Sequence, residues 1–170
     1  MQDIQPFTIM TVCTGNICRS PMAQIVLQDF VEQRGLTDQV RVLSSGVSSE
    51  EHGNPIDPRA RKVLVEHGFS LPGYHFAHKI TRDEIAQTDL FLPMTASHMQ
   101  ALLRQLPAQK RDAVHMYRSF MPQFAHYQGR QSDMDLADPW YGGPHEFEVA
   151  ITQIEQAAPY IMDWVSQQLQ

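Results

Sequence analysis

The segment TVCTGNICRSPMAQ, Thr11 to Gln24, holds both cysteines of the chain, Cys13 and Cys18, with Arg19 directly behind the second. Thiols this close in sequence do not make a disulfide scaffold; they read as catalytic, redox or ligand groups. A loop that runs from a strand into a helix can turn successive backbone N–H groups inward and so make an anion nest. The helix N-terminus adds partial positive charge at the same point. Gly15 and Asn16 are the residue types that tolerate a left-handed backbone in such a loop. Thr14, Ile17 and Cys18 complete it, Ser20 is a candidate cap, and Pro21 suits a first helical turn. Cys13 at the strand end points into the nest, where the amides, the helix end and Arg19 favour a sulfur anion. Arg19 offers a planar fork for two oxygens of a phosphate. Together these residues would hold a tetrahedral oxyanion against a sulfur nucleophile.

Positioning such a loop takes a strand before it and a helix after it. FTIMTV (Phe7–Val12) reads as a buried parallel strand. PMAQIVLQDFVEQRG has helical spacing, with Met22, Ile25, Val26 and Phe30 on one side and Gly35 as the stop. VRVLSSG is a second strand. DPRARKVLVEHG is a helix capped by Asp57, with Pro58 in its first turn and Gly68 at its end. TRDE at Thr81–Glu84 is a capping-box pattern. DLFLPM is a third strand, ASHMQALLRQL a helix, and AVHMY a fourth strand. A last helix runs from about Pro144 to Leu169, with Pro159 expected to kink or split it. SDMDLAD and DPWYGGP mark a long surface loop near residues 129–144. The alternation predicts an α/β fold: a four-stranded parallel sheet with helices on both faces, ligands lying beyond the carboxyl ends of the strands.

The remaining sequence narrows the chemistry. At 170 residues the chain fits one domain, residues 1–170. A net charge of -6 argues against a nucleic-acid partner. No apolar run approaches membrane-spanning length, so no membrane partner is expected. MQDIQPF lacks the basic start and apolar stretch of a signal peptide, so a cytoplasmic location with reduced thiols is expected. The eight histidines are scattered, without HExxH or a second cysteine pair, and predict no metal site.

Taken whole, CTGNICRSP is a specific motif, and the chain resembles the low-molecular-weight protein tyrosine phosphatases of bacterial type. The likeness extends through SSG, GNPIDPRA, HGF, ITRDEI, TDLFLPM and DPWYG, nearly the whole chain. It implies a flavodoxin-like fold and a phosphatase that works through a phosphocysteine, without metal or cofactor. By position in the motif, Cys13 is the nucleophile, Arg19 the phosphate clamp and Asp138 the general acid and base. Asn16 holds the loop, Ser20 hydrogen-bonds the sulfur, and His75 bonds the loop backbone. Trp140 and Tyr141 wall the pocket. The implied partner is a phosphotyrosine protein or aryl phosphate, and no particular kinase is indicated. Cys18 reads equally as a redox partner for Cys13 or as a packed residue. His52, His98, His115, His126 and His145 read as solvent or packing residues, and the methionines as core filling.

The chain departs from the pattern in three places. Glu50, beside Glu51, stands where many relatives have a pocket aromatic. Thr95 replaces an acid after the third strand, and His78 an arginine. Asp133 and Asp135 are expected to join the two glutamates in an acidic rim. Three other functions compete. An arsenate reductase needs downstream cysteines, and none follows Cys18, so only a version using an external thiol fits. A protein-arginine phosphatase has threonine at the position of Ile17, and isoleucine favours an aryl phosphate. A phosphotyrosine-binding module has no need of both Cys13 and Asp138.

Overall fold

The computed structural model describes residues 4–170. Its elements are β1 Phe7–Cys13, α1 Arg19–Gln33, β2 Val40–Gly46, α2 Pro58–Glu66, α3 Arg82–Gln87, β3 Leu90–Pro93, α4 Ala96–Leu103 and α5 Pro144–Gln168. The strands form a parallel sheet in the order β2-β1-β3. Strand β1 is central and pairs from Phe7↔Val40 to Cys13↔Gly46 on one side and from Ile9↔Leu90 to Val12↔Pro93 on the other. Side chains alternate across a strand. Ile9 and Cys13 therefore join the core built with α1, α2 and α5, while Met10 and Val12 join a second core with Ile85 of α3 and Leu102 of α4. Cys13 is the last residue of the central strand, at its carboxyl end. Among the described residues no helix is long and apolar enough to cross a membrane.

Local signals act as the sequence predicts at several helix ends. The Asp57 side chain accepts from the N–H of Arg59 at the start of α2. Thr81 and Glu84 form the capping box of α3. Gly35 and Gly68 take positive φ after α1 and α2, a conformation that glycine adopts without a Cβ penalty.

Among the described residues the sheet has three strands, not the four expected. AVHMY makes one bridge, Phe91↔Val114, with the His115 N–H donating to the Phe91 carbonyl at 3.0 Å. Tight 3-10 turns at Ala108–Ala113 and Tyr117–Phe120 leave only a short extended piece between them. Tyr117 is fully buried and its hydroxyl donates to the Ile154 carbonyl. The chain thus turns toward α5 before a ladder can form. Pro159 does not split α5, which runs unbroken from Pro144 to Gln168. A proline inside a helix costs about 3 kcal/mol. Burial of Ile154, Ala157, Ala158, Ile161 and Met162 around it offsets that cost.

His67, just past α2, is held between two carboxylates of α5. Its Nδ1 is 3.0 Å from Glu155 and its Nε2 2.8 Å from Glu148. Burial pulls its pKa down, but the hydrogen bonds to Glu148 and Glu155 outweigh this, so the folded-state value is raised above that of a free histidine. A raised folded pKa stabilises the fold fully below the unfolded value, near 6.5, and the effect is lost as pH rises through the folded value. His67→Gln is expected to lower stability at pH 5.5 by about 1 kcal/mol, allowing for screening at half-exposed Glu148, or about 2–4 °C in Tm. By pH 9 the difference from wild type should have narrowed. A pH-independent difference in urea unfolding would rule out the charged clamp.

Candidate active site

The nest is closed by hydrogen bonds that leave Asn16 no free polar group. Asn16 is buried, with φ 63°. Its Nδ2 donates to Ser20 Oγ at 2.9 Å and to Ser44 Oγ at 3.0 Å. Its Oδ1 accepts from the His78 N–H, and its carbonyl accepts from His75 Nε2 at 2.8 Å. Ser44 in turn donates to Gln24 Oε1 at 2.7 Å. Because an amide NH2 only donates, Ser20 Oγ is an acceptor there, which frees its own hydrogen. That hydrogen faces Cys13 Sγ, 3.0 Å away, and the Asn16 N–H donates to the same sulfur at 3.3 Å. Two donors thus converge on one buried sulfur.

Two details differ from expectation. Ser20 lies inside α1 and does not cap it; the cap position is Cys18, with no side-chain bond. The left-handed residue is Asn16, not Gly15; a Cβ at Gly15 would meet Glu51 Cγ at 2.8 Å, so the Glu51 side chain would have to shift. Gly46 is more constrained still, since a Cβ would lie 2.4 Å from the Thr14 carbonyl oxygen. Any side chain at that position pushes the nest off β2.

The loop carrying Asp138 is tied down along its length. The Leu136 N–H donates to the Met94 carbonyl, and the Ala137 N–H to Gln153 of α5. Arg19 Nη1 donates to the Leu136 carbonyl at 3.1 Å. Arg59 donates to the carbonyls of Trp140 and Gly142 and lies over the rings of Trp140 and Phe147. It is also paired with Asp57, whose N–H donates to the Ile17 carbonyl in the nest. Asp57 and Arg59 thus bridge the nest to the acid-bearing loop, a role that the DPRA segment by itself shows only as a helix cap. Asp138 makes a turn bond to the Trp140 N–H at 3.0 Å. Its other oxygen is 3.6 Å from Arg19 Nη2, with the aspartate side chain 53% exposed and the arginine 9%.

These parts surround one cleft of about 380 Å³, lined by Cys13, Thr14, Gly15, Ile17, Cys18, Arg19, Glu50, Glu51, Asp138, Trp140 and Tyr141. Asn16 and Ser20 stand behind the wall as supports. Burial, then the charges of Asp57 and Cys13, push the Cys18 thiol well above the usual range, so it is neutral. The acidic rim is smaller than expected. Asp133 accepts from Tyr127 and from the Arg130 N–H, and Asp135 accepts from the Ala96 N–H in the first turn of α4 at 2.7 Å. Both are used locally, away from the cleft lining, which leaves Glu50 and Glu51. His98, read from sequence as solvent or packing, is buried and touches the nest, with Nε2 2.9 Å from Thr14 Oγ1. Its place in the first turn of α4, directly after β3, is the one sequence signal that could have found it.

A family profile described as low molecular weight phosphotyrosine protein phosphatase matches residues 8–170. A low molecular weight protein-tyrosine phosphatase A of Mycobacterium tuberculosis is 38% identical over 164 residues, 96% of this chain and 94% of that protein. A protein tyrosine phosphatase of Entamoeba histolytica has the same fold, with a TM-score of 0.85 at 24% identity over 96% of this chain and 99% of that one. The YwlE arginine phosphatase of Bacillus subtilis, solved as a variant with a phosphorylated active-site serine, has a TM-score of 0.79 at 27% identity, covering 94% of this chain and 96% of that one.

Proposed function

The chain belongs to the low molecular weight phosphotyrosine protein phosphatase family, and on that premise we propose that it hydrolyses phosphotyrosine through a phosphocysteine on Cys13. The observation that carries the reading is the convergence on one cleft of a doubly hydrogen-bonded sulfur, Arg19, and Asp138 at 3.6 Å from Arg19. The strand order and the helices on both faces of the sheet support a flavodoxin-like assignment.

In the first step Cys13 Sγ attacks phosphorus in line. The sulfur–phosphorus bond forms as the ester oxygen bond breaks. Nest amides and Arg19 stabilise charge on the equatorial oxygens. The departing phenolate takes a proton from Asp138. In the second step water attacks the phosphocysteine, Asp138 accepts its proton, and inorganic phosphate leaves as the sulfur anion returns. The YwlE variant carries a phosphorylated serine at its active site, which supports a phosphoenzyme route on this fold. The nucleophile must remain a free thiol, which suits the cytoplasm.

Ile17, Trp140 and Tyr141 give the cleft apolar walls. Cys13 is buried where it meets the cleft, so a long aryl phosphate such as phosphotyrosine would reach the sulfur more readily than a shorter phosphoserine. Steady-state hydrolysis of matched phosphotyrosine and phosphoserine peptides tests this, with the tyrosine peptide expected to be favoured by about two orders of magnitude or more. A second reading, phosphoarginine, draws support from Glu50 and Glu51, since two carboxylates at the cleft would attract a guanidinium. Faster turnover of phosphoarginine than of phosphotyrosine would favour it. Arsenate reduction with added thiol tests the third.

The same two glutamates set a charge preference. Like charge repels an acidic peptide on approach, and salt screens the repulsion. Glu50→Gln is expected to raise kcat/KM for acidic phosphotyrosine peptides about two- to fivefold at low salt. It should change little for a small aryl phosphate. Equal cleavage of acidic and basic peptides by wild type at low ionic strength would dismiss the rim effect and leave the chemistry standing.

A further inference from the structure

The nest is built mainly from backbone, but one of its side chains is held by a residue from a distant part of the chain. His98 is 4% exposed, and its backbone N–H donates to Thr95 Oγ1, the cap of α4. Its Nε2 lies 2.9 Å from Thr14 Oγ1. Its Nδ1 is buried with no partner among the described residues. Burial, and next the charge of Arg19, push its pKa to about 4 against an opposing pull from Asp138, so the ring is neutral near pH 7.

A neutral imidazole carries one ring proton. On Nδ1 that proton would make a buried N–H with no acceptor, the rarer and costlier orphan. On Nε2 it is used, and only a lone pair is left unpartnered. His98 therefore donates to Thr14 Oγ1, and the hydrogen of Thr14 must turn elsewhere. Thr14 is exposed on the cleft wall beside Cys13.

We propose that His98 is a positioning residue that turns the Thr14 hydroxyl into a donor facing the phosphoryl group, adding a side-chain hydrogen bond to those of the nest backbone. This rests on the phosphatase reading, in which the cleft holds a phosphoryl oxygen. It also gives His98 a purpose that packing does not need, because leucine would fill similar space without an unpartnered nitrogen.

The test is calorimetric titration of inorganic phosphate into the full chain, with Tm measured alongside. His98→Leu is expected to weaken phosphate about tenfold, the lower end for a hydrogen bond to a charged group. His98→Gln keeps an N–H of similar reach and should return within about threefold of wild type. Thr14→Val should lose as much as His98→Leu, Thr14→Ser should lose little, and the Thr14→Val, His98→Leu double variant should lose no more than either single one. Multiplying losses, or a lower Tm for His98→Leu with unchanged phosphate affinity, would overturn the proposal. If His98→Leu does not fold, equal losses in Thr14→Val and Thr14→Ser would overturn it instead. Phosphate binding needs no turnover. A wild type that binds phosphate and obeys the cycle, yet leaves aryl phosphates intact, would refute only the phosphatase reading. A wild type that binds no phosphate would refute both.

Discussion

Cys13→Ser is expected to lower kcat for an aryl phosphate by about four to six orders of magnitude, the scale seen when a nucleophile acting as part of a unit is removed. Inorganic phosphate or vanadate should still bind within a few-fold of wild type. The reason lies in how the site is made. The donors that would hold phosphate are backbone N–H groups of the nest, the guanidinium of Arg19 and the Thr14 hydroxyl proposed above. Their positions depend on the side chain and carbonyl of Asn16 and on His75, Ser44 and Arg59, whose contacts do not involve the sulfur. Serine also preserves the contact with Ser20 in shorter form. Single-turnover and steady-state rates, with calorimetry on the same sample, check this. Turnover within tenfold of wild type would end the phosphocysteine mechanism. Loss of phosphate binding with Tm unchanged would mean that the sulfur, and not the backbone, organises the nest.

The second large effect belongs to Asp138. Asp138→Asn is expected to reduce kcat by about two to four orders of magnitude for a leaving group such as tyrosine. The loss should shrink steadily as the leaving group becomes more acidic, because a stable anion departs without a proton. Asparagine keeps an oxygen for the turn bond to the Trp140 N–H, so the loop should hold its shape. The loop's other anchors, from Met94, Gln153, Arg19 and Arg59, do not involve the carboxylate. A drop of the same size for every leaving group would show that Asp138 only shapes the loop or pairs with Arg19.

Much of the site was legible before the fold because it is local. Cys13 through Ser20 are consecutive, and a strand-to-helix turn carrying glycine, asparagine and arginine has few other uses. Helix ends were legible for the same reason: Asp57 and Thr81 act within three residues of themselves. Where a local pattern was misread, packing had intervened. AVHMY has strand character, but Tyr117 finds its hydrogen bond on α5 and turns the chain away from the sheet. Pro159 should break a helix, yet the buried apolar residues around it keep α5 whole. Asp133 and Asp135 look like free charge until Tyr127 and the start of α4 are seen to use them.

The sequence by itself determined the strand-to-helix loop that carries Cys13, Asn16 and Arg19, and the α/β alternation that presents it at the end of a strand. Each depends on neighbours in the chain and on backbone preferences that act over a few residues. Only the tertiary structure decided what the nest leans on and what faces it. His98 reaches Thr14 across 84 residues, Arg59 reaches Trp140 across 81, and Arg19 reaches the carbonyl of Leu136 across 117. These contacts arise because burial of two cores on either side of β1 brings α4, α2 and the loop before α5 to one edge of the sheet. Side-chain partners at such separations are selected by packing and by the need to satisfy buried polar groups, and neither is written in any short stretch of residues.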